Sequence, residues 1–283
     1  MVFSRIFSKS IYAVIVLMAV VSFVLPSYSQ GSPESQSSVN STDMSVILYG
    51  GIGYGISEYG VSTGDDITLV TGVGSDEAYG FELGTLFNYS FIGASLNVTG
   101  VQLNDLKSDI STEYGDGYYL LVDATLGLKL FTEAEDMGYT YIFGGLKYWQ
   151  LSRDVEREGT LPDSDYKAEL SGKGWEFGFR DFSTFPVSSF SIVLQTGMSF
   201  YSAPVDSIKS EGSKASFTTS DTAGAALELG LGVAFENIGL SVVASFKHDE
   251  NATVYEIDGA TESKVLGTGY NQFFLTLTKD FSI

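Results

Sequence analysis

The chain has 283 residues, no cysteine, and a formal charge of −20 from 35 acidic and 15 basic residues. Without cysteine it has no disulfide, no thiolate metal site and no lipoprotein anchor, and so acidic a chain lacks the Lys and Arg clusters that grip nucleic-acid phosphates. Its 14 % aromatic residues and 32 glycines point to a folded, turn-rich β protein and away from disorder.

The N-terminus reads as a secretory signal over residues 1–29. Arg5 and Lys9 supply a positive start, Ile11 to Leu25 is a mostly apolar run, Pro26 breaks it, and Ser27-Tyr28-Ser29 is a small-x-small cleavage site. The apolar run is shorter than the ~20 residues a spanning helix needs, which argues against an uncleaved anchor. Residues 30–43 (QGSPESQSSVNSTD) are Ser-rich and read as a flexible periplasmic linker.

From Met44 to Ile283 the pattern is period-2 alternation repeated ten times. The first strand, near Met44–Ser57, sets Leu48, Ile52, Tyr54 and Ile56 on one face. The second, near Ala78–Phe91, alternates Tyr79, Phe81, Leu83, Phe87, Tyr89 and Phe91 with Gly80, Glu82, Gly84 and Asn88; Leu86 breaks the pattern. The third, near Ile92–Leu103, and the fourth, near Tyr118–Phe131, continue it, with Asp123 and Lys129 on the polar face of the fourth. The fifth, near Gly138–Ser152, is ambiguous. Its aromatics Tyr139, Tyr141 and Phe143 are odd while Leu146 and Tyr148 are even, so a bulge at Gly144-Gly145 is one way to switch the face. The sixth, near Gly172–Phe182, sets Trp175, Phe177 and Phe179 against Glu176, Gly178 and Arg180. The seventh carries Gln195, the eighth Glu228, the ninth Leu240, Val242, Ala244 and Phe246, and the tenth Phe273, Leu275, Leu277 and Phe281.

Connections alternate in length. Short turns are expected near Phe91-Ile92, Thr132–Met137, Ser183–Pro186 and Glu236–Gly239. Long polar loops are expected near Glu58–Glu77, Asn104–Asp116, Arg153–Ser171, Ala203–Thr222 and His248–Lys264.

This is the pattern of an all-β, closed, antiparallel up-and-down transmembrane β-barrel of ten strands. A bilayer leaves exposed backbone N–H and C=O groups without water, so a sheet spans it only as a closed barrel. Such barrels have an even strand count, short periplasmic turns and long outer loops. Ten strands put both barrel ends on the periplasmic side. Aromatic residues collect at strand ends, as expected of interfacial girdles: Phe87, Tyr89, Phe91, Phe131, Phe235 and Phe281 near the short turns, and Tyr118, Trp149 and Trp175 near the loops. The competing reading is a soluble exported barrel or sandwich with its apolar face inward.

On these features, and on the aromatic-rich last strand FFLTLTKDFSI, the chain resembles the small outer-membrane β-barrel proteins of the opacity-protein and OmpX-like group over Met44–Ile283. The resemblance is architectural. It implies residence in the bacterial outer membrane, contact with its lipid and lipopolysaccharide, and recognition by the barrel-assembly machinery. Barrels of that group usually end in an aromatic residue, whereas this chain ends Phe281-Ser282-Ile283.

The polar face predicts a lumen network of Glu82, Asp123, Lys129, Glu176, Arg180, Gln195 and Glu228, with Lys147 undecided because its strand is ambiguous. Buried charges must pair or reach water. The network therefore reads as a plug, with a structural or surface-interaction role for the barrel. A narrow passive channel for small solutes is the alternative. A membrane-embedded enzyme of the omptin or lipid A-modifying type is the third reading; its one candidate residue is His248 in FKHDEN, with no partner pattern around it. The acidic loops, including Asp163-x-Asp165, lack EF-hand spacing. No metal, cofactor or extracellular partner is indicated by any motif.

Overall fold

The computed structural model describes residues 44–63, 74–103, 106–107, 112–131, 138–157, 166–210, 213–214, 216–257 and 263–282. The expected signal, linker, Thr132–Met137 turn and Asp163–Asp165 pair, and Ile283, lie outside them. The described residues belong to one unit spanning Thr42–Ile283.

Thirteen strands form a single sheet. Ten are long: β1 (Met44–Thr63), β2 (Gly74–Tyr89), β3 (Ile92–Leu103), β5 (Thr112–Phe131), β6 (Gly138–Arg157), β7 (Tyr166–Val187), β8 (Phe190–Ser202), β11 (Phe217–Phe235), β12 (Leu240–Ile257) and β13 (Lys264–Ser282). Each pairs antiparallel with its neighbours in chain order, β13 pairs β1, and the circle is complete. Three short strands, β4 (Leu106–Lys107), β9 (Val205–Ser210) and β10 (Ser213–Lys214), decorate one end. The result is a closed ten-stranded barrel.

The strands outrun the 9–11 residues a bilayer requires. Much of what reads as loop in the sequence is β structure: β1 continues to Thr63, β6 to Arg157 and β12 to Ile257. The cause is pairing, because polar residues extend a ladder as long as each N–H and C=O finds its partner across the hairpin. After Ser202 the chain steps over Ala203-Pro204 and resumes as β9 along the outer part of β7, with a register shift between Ser171 and Gly172.

Turns at the opposite end are tight. Ser90-Phe91 and Ser188-Ser189 turn with Ser90 and Ser188 at positive φ, and a 3-10 segment at Glu236–Ile238 leads into Gly239 at φ +57°. The turn expected at Ser183–Pro186 therefore falls later, since β7 runs on to Val187. Pro186 is tolerated there because it sits one residue from the strand end, where little of the ladder depends on its missing N–H.

The fifth long strand, β6, has no bulge at Gly144-Gly145. Through that dipeptide its register is unbroken on both sides, with Gly145 opposite Thr125 and Glu176; the shift against β5 comes farther out, between Arg153 and Val155. Odd residues point inward throughout, so Tyr141 and Phe143 are interior and Ile142 and Leu146 exterior. This also corrects the placement of Trp149 in the loop-end girdle. Trp149 is 0 % exposed and lies inside the barrel. Its indole Nε1 donates to the Ala203 carbonyl at 2.8 Å, at the step between β8 and β9. A Trp N–H needs an acceptor when buried, and the kinked backbone supplies one. Of the other girdle residues, Phe87, Tyr89, Phe91, Tyr118, Trp175, Phe235 and Phe281 are exposed. The side chain of Phe131 is outside the described set.

The outward face is apolar where a soluble protein could not keep it so. Ile52 is 72 % and Leu126 64 % exposed, and Leu83, Leu146, Leu231 and Phe273 are similarly open. A continuous apolar band around a closed barrel belongs in hydrocarbon.

Candidate functional site: a stratified lumen

The interior has three zones along the barrel axis. Nearest the short turns is a cavity of about 690 Å³. The polar upper part of its wall holds Tyr49, Glu82, Asn97, Arg180, Gln195, Glu228 and Lys247, while Ile47, Leu86, Val193, Leu240 and Val243 line it below. Asn237, Ile238 and Gly239 lie at the short-turn rim.

Two ionic groups come next. In the lower one Lys247 of β12 bridges two carboxylates, Glu228 of β11 at 2.8 Å and Glu82 of β2. The Thr276 hydroxyl donates to Glu82 as well, and Gln195 faces Glu228. In the upper group Lys147 of β6 pairs with Asp123 of β5 at 3.2 Å and Asp249 of β12 at 3.0 Å. The Tyr201 hydroxyl donates to Asp249 at 2.8 Å, and the Lys147 ammonium lies 4.3 Å from the Tyr201 ring centre. Glu176 is beside this group, 4 % exposed, with Oε1 lacking a hydrogen-bond donor among the described residues.

Arg180 stands between the groups. It is in electrostatic range of Glu228, Glu176 and Asp123, and its guanidinium carbon is 5.3 Å from the Phe143 ring centre. Among the described residues it makes no direct ion pair or hydrogen bond. Sequence reading brings Glu82, Asp123, Glu176, Gln195 and Glu228 to the interior, and the structure places them there. It gives the cationic role chiefly to Lys147 and to Lys247, which sequence reading missed. Lys129 is on the inward face but near the short turns, close to Asp280 and apart from both groups.

Beyond the ionic groups the interior becomes largely apolar, with Arg153, Asn251, Thr253 and Thr268 buried at the same end. Val101, Leu103, Tyr119, Leu121, Trp149, Leu151, Leu266, Tyr270 and Phe274 pack with Val205 and Ile208 into one buried cluster at the long-hairpin end. The barrel thus inverts along its axis. Where its outside is apolar its inside is charged, and where the hairpins project beyond the apolar band its inside is a hydrophobic core.

Inward glycines make room for the interior aromatics. A Cβ at Gly84 would lie 2.2 Å from the Tyr49 ring, one at Gly224 2.1 Å from Tyr201, and one at Gly53 2.7 Å from Phe274. The glycines of the polar face are therefore the seats of large rings, and do not leave a hollow.

His248 is on the outward face of β12. Its Nδ1 hydrogen-bonds Asn271 at 2.8 Å and Nε2 is 3.7 Å from Glu250. The adjacent Asp249 points the other way, into the lumen, so the two do not form a couple. No cluster of three or more metal-ligating side chains occurs among the described residues.

The fold is that of a small outer-membrane β-barrel. Its apolar belt, even strand count and short-turn/long-hairpin asymmetry decide this. The chain matches no family model and no curated protein. Among solved structures it is similar to the outer-membrane protease OmpT of Escherichia coli, at 9 % identity over 89 % of this chain and 100 % of that one, TM-score 0.49. It is also similar to OprG of Pseudomonas aeruginosa (11 %, 84 % and 95 %, 0.38) and to the attachment invasion locus protein Ail of Yersinia pestis (10 %, 81 % and 97 %, 0.32). These likenesses assign no activity.

Proposed function

We propose that this outer-membrane barrel is closed to solutes and serves as a rigid mount for its long β-hairpins, in a structural or surface-contact role. The observation that supports this best is the apolar cluster around Trp149, Leu121 and Leu266, each no more than 1 % exposed, stacked on the ion pairs of Lys147. A hydrated conduit requires polar, wet walls along its whole length. A hydrophobic core at one end interrupts it, and the ladder-extended hairpins around that core give it a stiff outer platform.

The test is single-channel recording of the refolded protein in planar bilayers. The expected trace is flat at physiological salt. Stable, stepwise conductance from the wild-type protein would overturn the closed-barrel reading in favour of a narrow channel.

A further inference from the structure

The cavity at the short-turn end has a chemical asymmetry. The two carboxylates near Arg180 are engaged: Glu82 by Lys247 and Thr276, and Glu228 by Lys247. At its inner end stands the Arg180 guanidinium, which has no ion pair or hydrogen bond among the described residues; Asp280 and Lys279 lie apart from it on β13, toward the short turns. Below Arg180, Val193, Leu86, Ile47 and Val243 give the wall an apolar stretch, beside the hydroxyls of Thr184, Ser241 and Thr278. A volume of about 690 Å³ is in the range of small-molecule sites.

We propose that this vestibule is a binding site for an amphiphilic monoanion, entering from the short-turn side. Its carboxylate meets Arg180, and its alkyl body lies along Val193, Leu86 and Ile47. The planar guanidinium presents paired N–H donors that match a two-oxygen anionic head. Above Arg180, Asp123, Glu176 and Asp249 outnumber Lys147, so the anion stops at the guanidinium and does not pass upward. The site is blind, and in that respect rests on the closed-barrel reading.

The experiment uses the full-length barrel in nanodiscs of zwitterionic lipid, with octanoate as probe and titration calorimetry as readout; empty nanodiscs are subtracted. Octanoate is expected to bind saturably at one site. Hexanoate, shorter by two methylenes, should bind roughly fifteenfold more weakly, since each buried methylene contributes about fourfold. Acetate, 1-octanol and octyltrimethylammonium should each bind at least tenfold more weakly than octanoate. Arg180→Gln should weaken octanoate at least tenfold, and Arg180→Lys by less. Val193→Trp, which fills the wall with Arg180 intact, should abolish binding, so the proposal stays testable if the Arg180 variants do not fold. No saturable octanoate signal, equal binding of octyltrimethylammonium, or full affinity in folded Arg180→Gln or Val193→Trp would each overturn it. Conductance of the same preparation separates the two readings. A silent barrel without octanoate binding removes only the site, whereas a conducting one removes the closed barrel beneath it.

Discussion

Lys147 on β6 and Asp249 on β12 meet inside the barrel at 3.0 Å, although 102 residues separate them in the chain. The same ammonium holds Asp123 on β5 at 3.2 Å, and its side chain is 3 % exposed. One buried cation therefore ties opposite walls of the barrel, directly beneath the apolar core that closes it.

Substituting Lys147 by Met leaves two buried carboxylates without their counter-ion. Removing one partner of a buried pair typically costs about 3–5 kcal/mol. Lys147→Met should unfold at distinctly lower denaturant in liposomes, while the triple variant Lys147→Met/Asp123→Asn/Asp249→Asn should recover most of the loss. Equal unfolding of wild type and Lys147→Met would show that water already screens the group.

The two tryptophans give a direct optical test of orientation. Trp175 is 55 % exposed on the outer face and Trp149 is buried in the interior. In bilayers of bromine-labelled lipid, Trp175 fluorescence should be quenched strongly. A Trp175→Phe variant should lose nearly all of that quenching, because Trp149 is out of lipid contact. Strong residual quenching in that variant would place Trp149 back in the girdle.

The barrel is legible in the sequence because lipid contact enforces alternation: Phe81, Leu83, Leu126 and Leu128 announce their face without help from tertiary structure. The inner cation Lys247 was also within reach, since it shares parity with Ser245 and Asp249 opposite Phe246 and Ala244. The polar run FKHDEN obscures it, because it reads as the start of a loop where the ladder in fact continues to Ile257. Trp149 was harder. An aromatic at a strand end suits either an interfacial girdle or a core, and only the strand's register chooses. The glycines Gly144-Gly145 made that register look broken. The Ala203 carbonyl that accepts the indole comes from a step between two strands that no local pattern in the sequence announces.

Gly84 tests how tightly the rings fill the lumen. A methyl group there would meet the Tyr49 ring at 2.2 Å, and the Tyr49 hydroxyl donates to Asn97 at 3.3 Å. Gly84→Ala should cost about 1–3 kcal/mol, the usual range for overpacking. Gly84→Ala/Tyr49→Ala should cost less than the two single changes added together, because the second removes the clash the first creates. Strict additivity in equilibrium unfolding would mean that the ring moves aside freely.

The last prediction compares the two faces of one strand. Leu126 points to lipid and is 64 % exposed, whereas its neighbour Thr125 points inward and shares a 2.5 Å hydrogen bond with Ser95. Arginine on the lipid face near mid-bilayer costs about 2–4 kcal/mol, and less toward the interfaces. Leu126→Arg should therefore lower stability by about that amount in a thick bilayer. In a thinner bilayer the cost should shrink, because the guanidinium reaches the headgroups more easily. Thr125→Val replaces an interior hydroxyl with a methyl group and leaves the Ser95 hydroxyl short of a partner, a loss of about 1–3 kcal/mol. That loss should not depend on bilayer thickness. Bilayer thickness thus separates lipid-facing from lumen-facing residues by thermodynamics alone. A thickness-dependent cost at Thr125, or an invariant one at Leu126, would reverse the assignment of the faces.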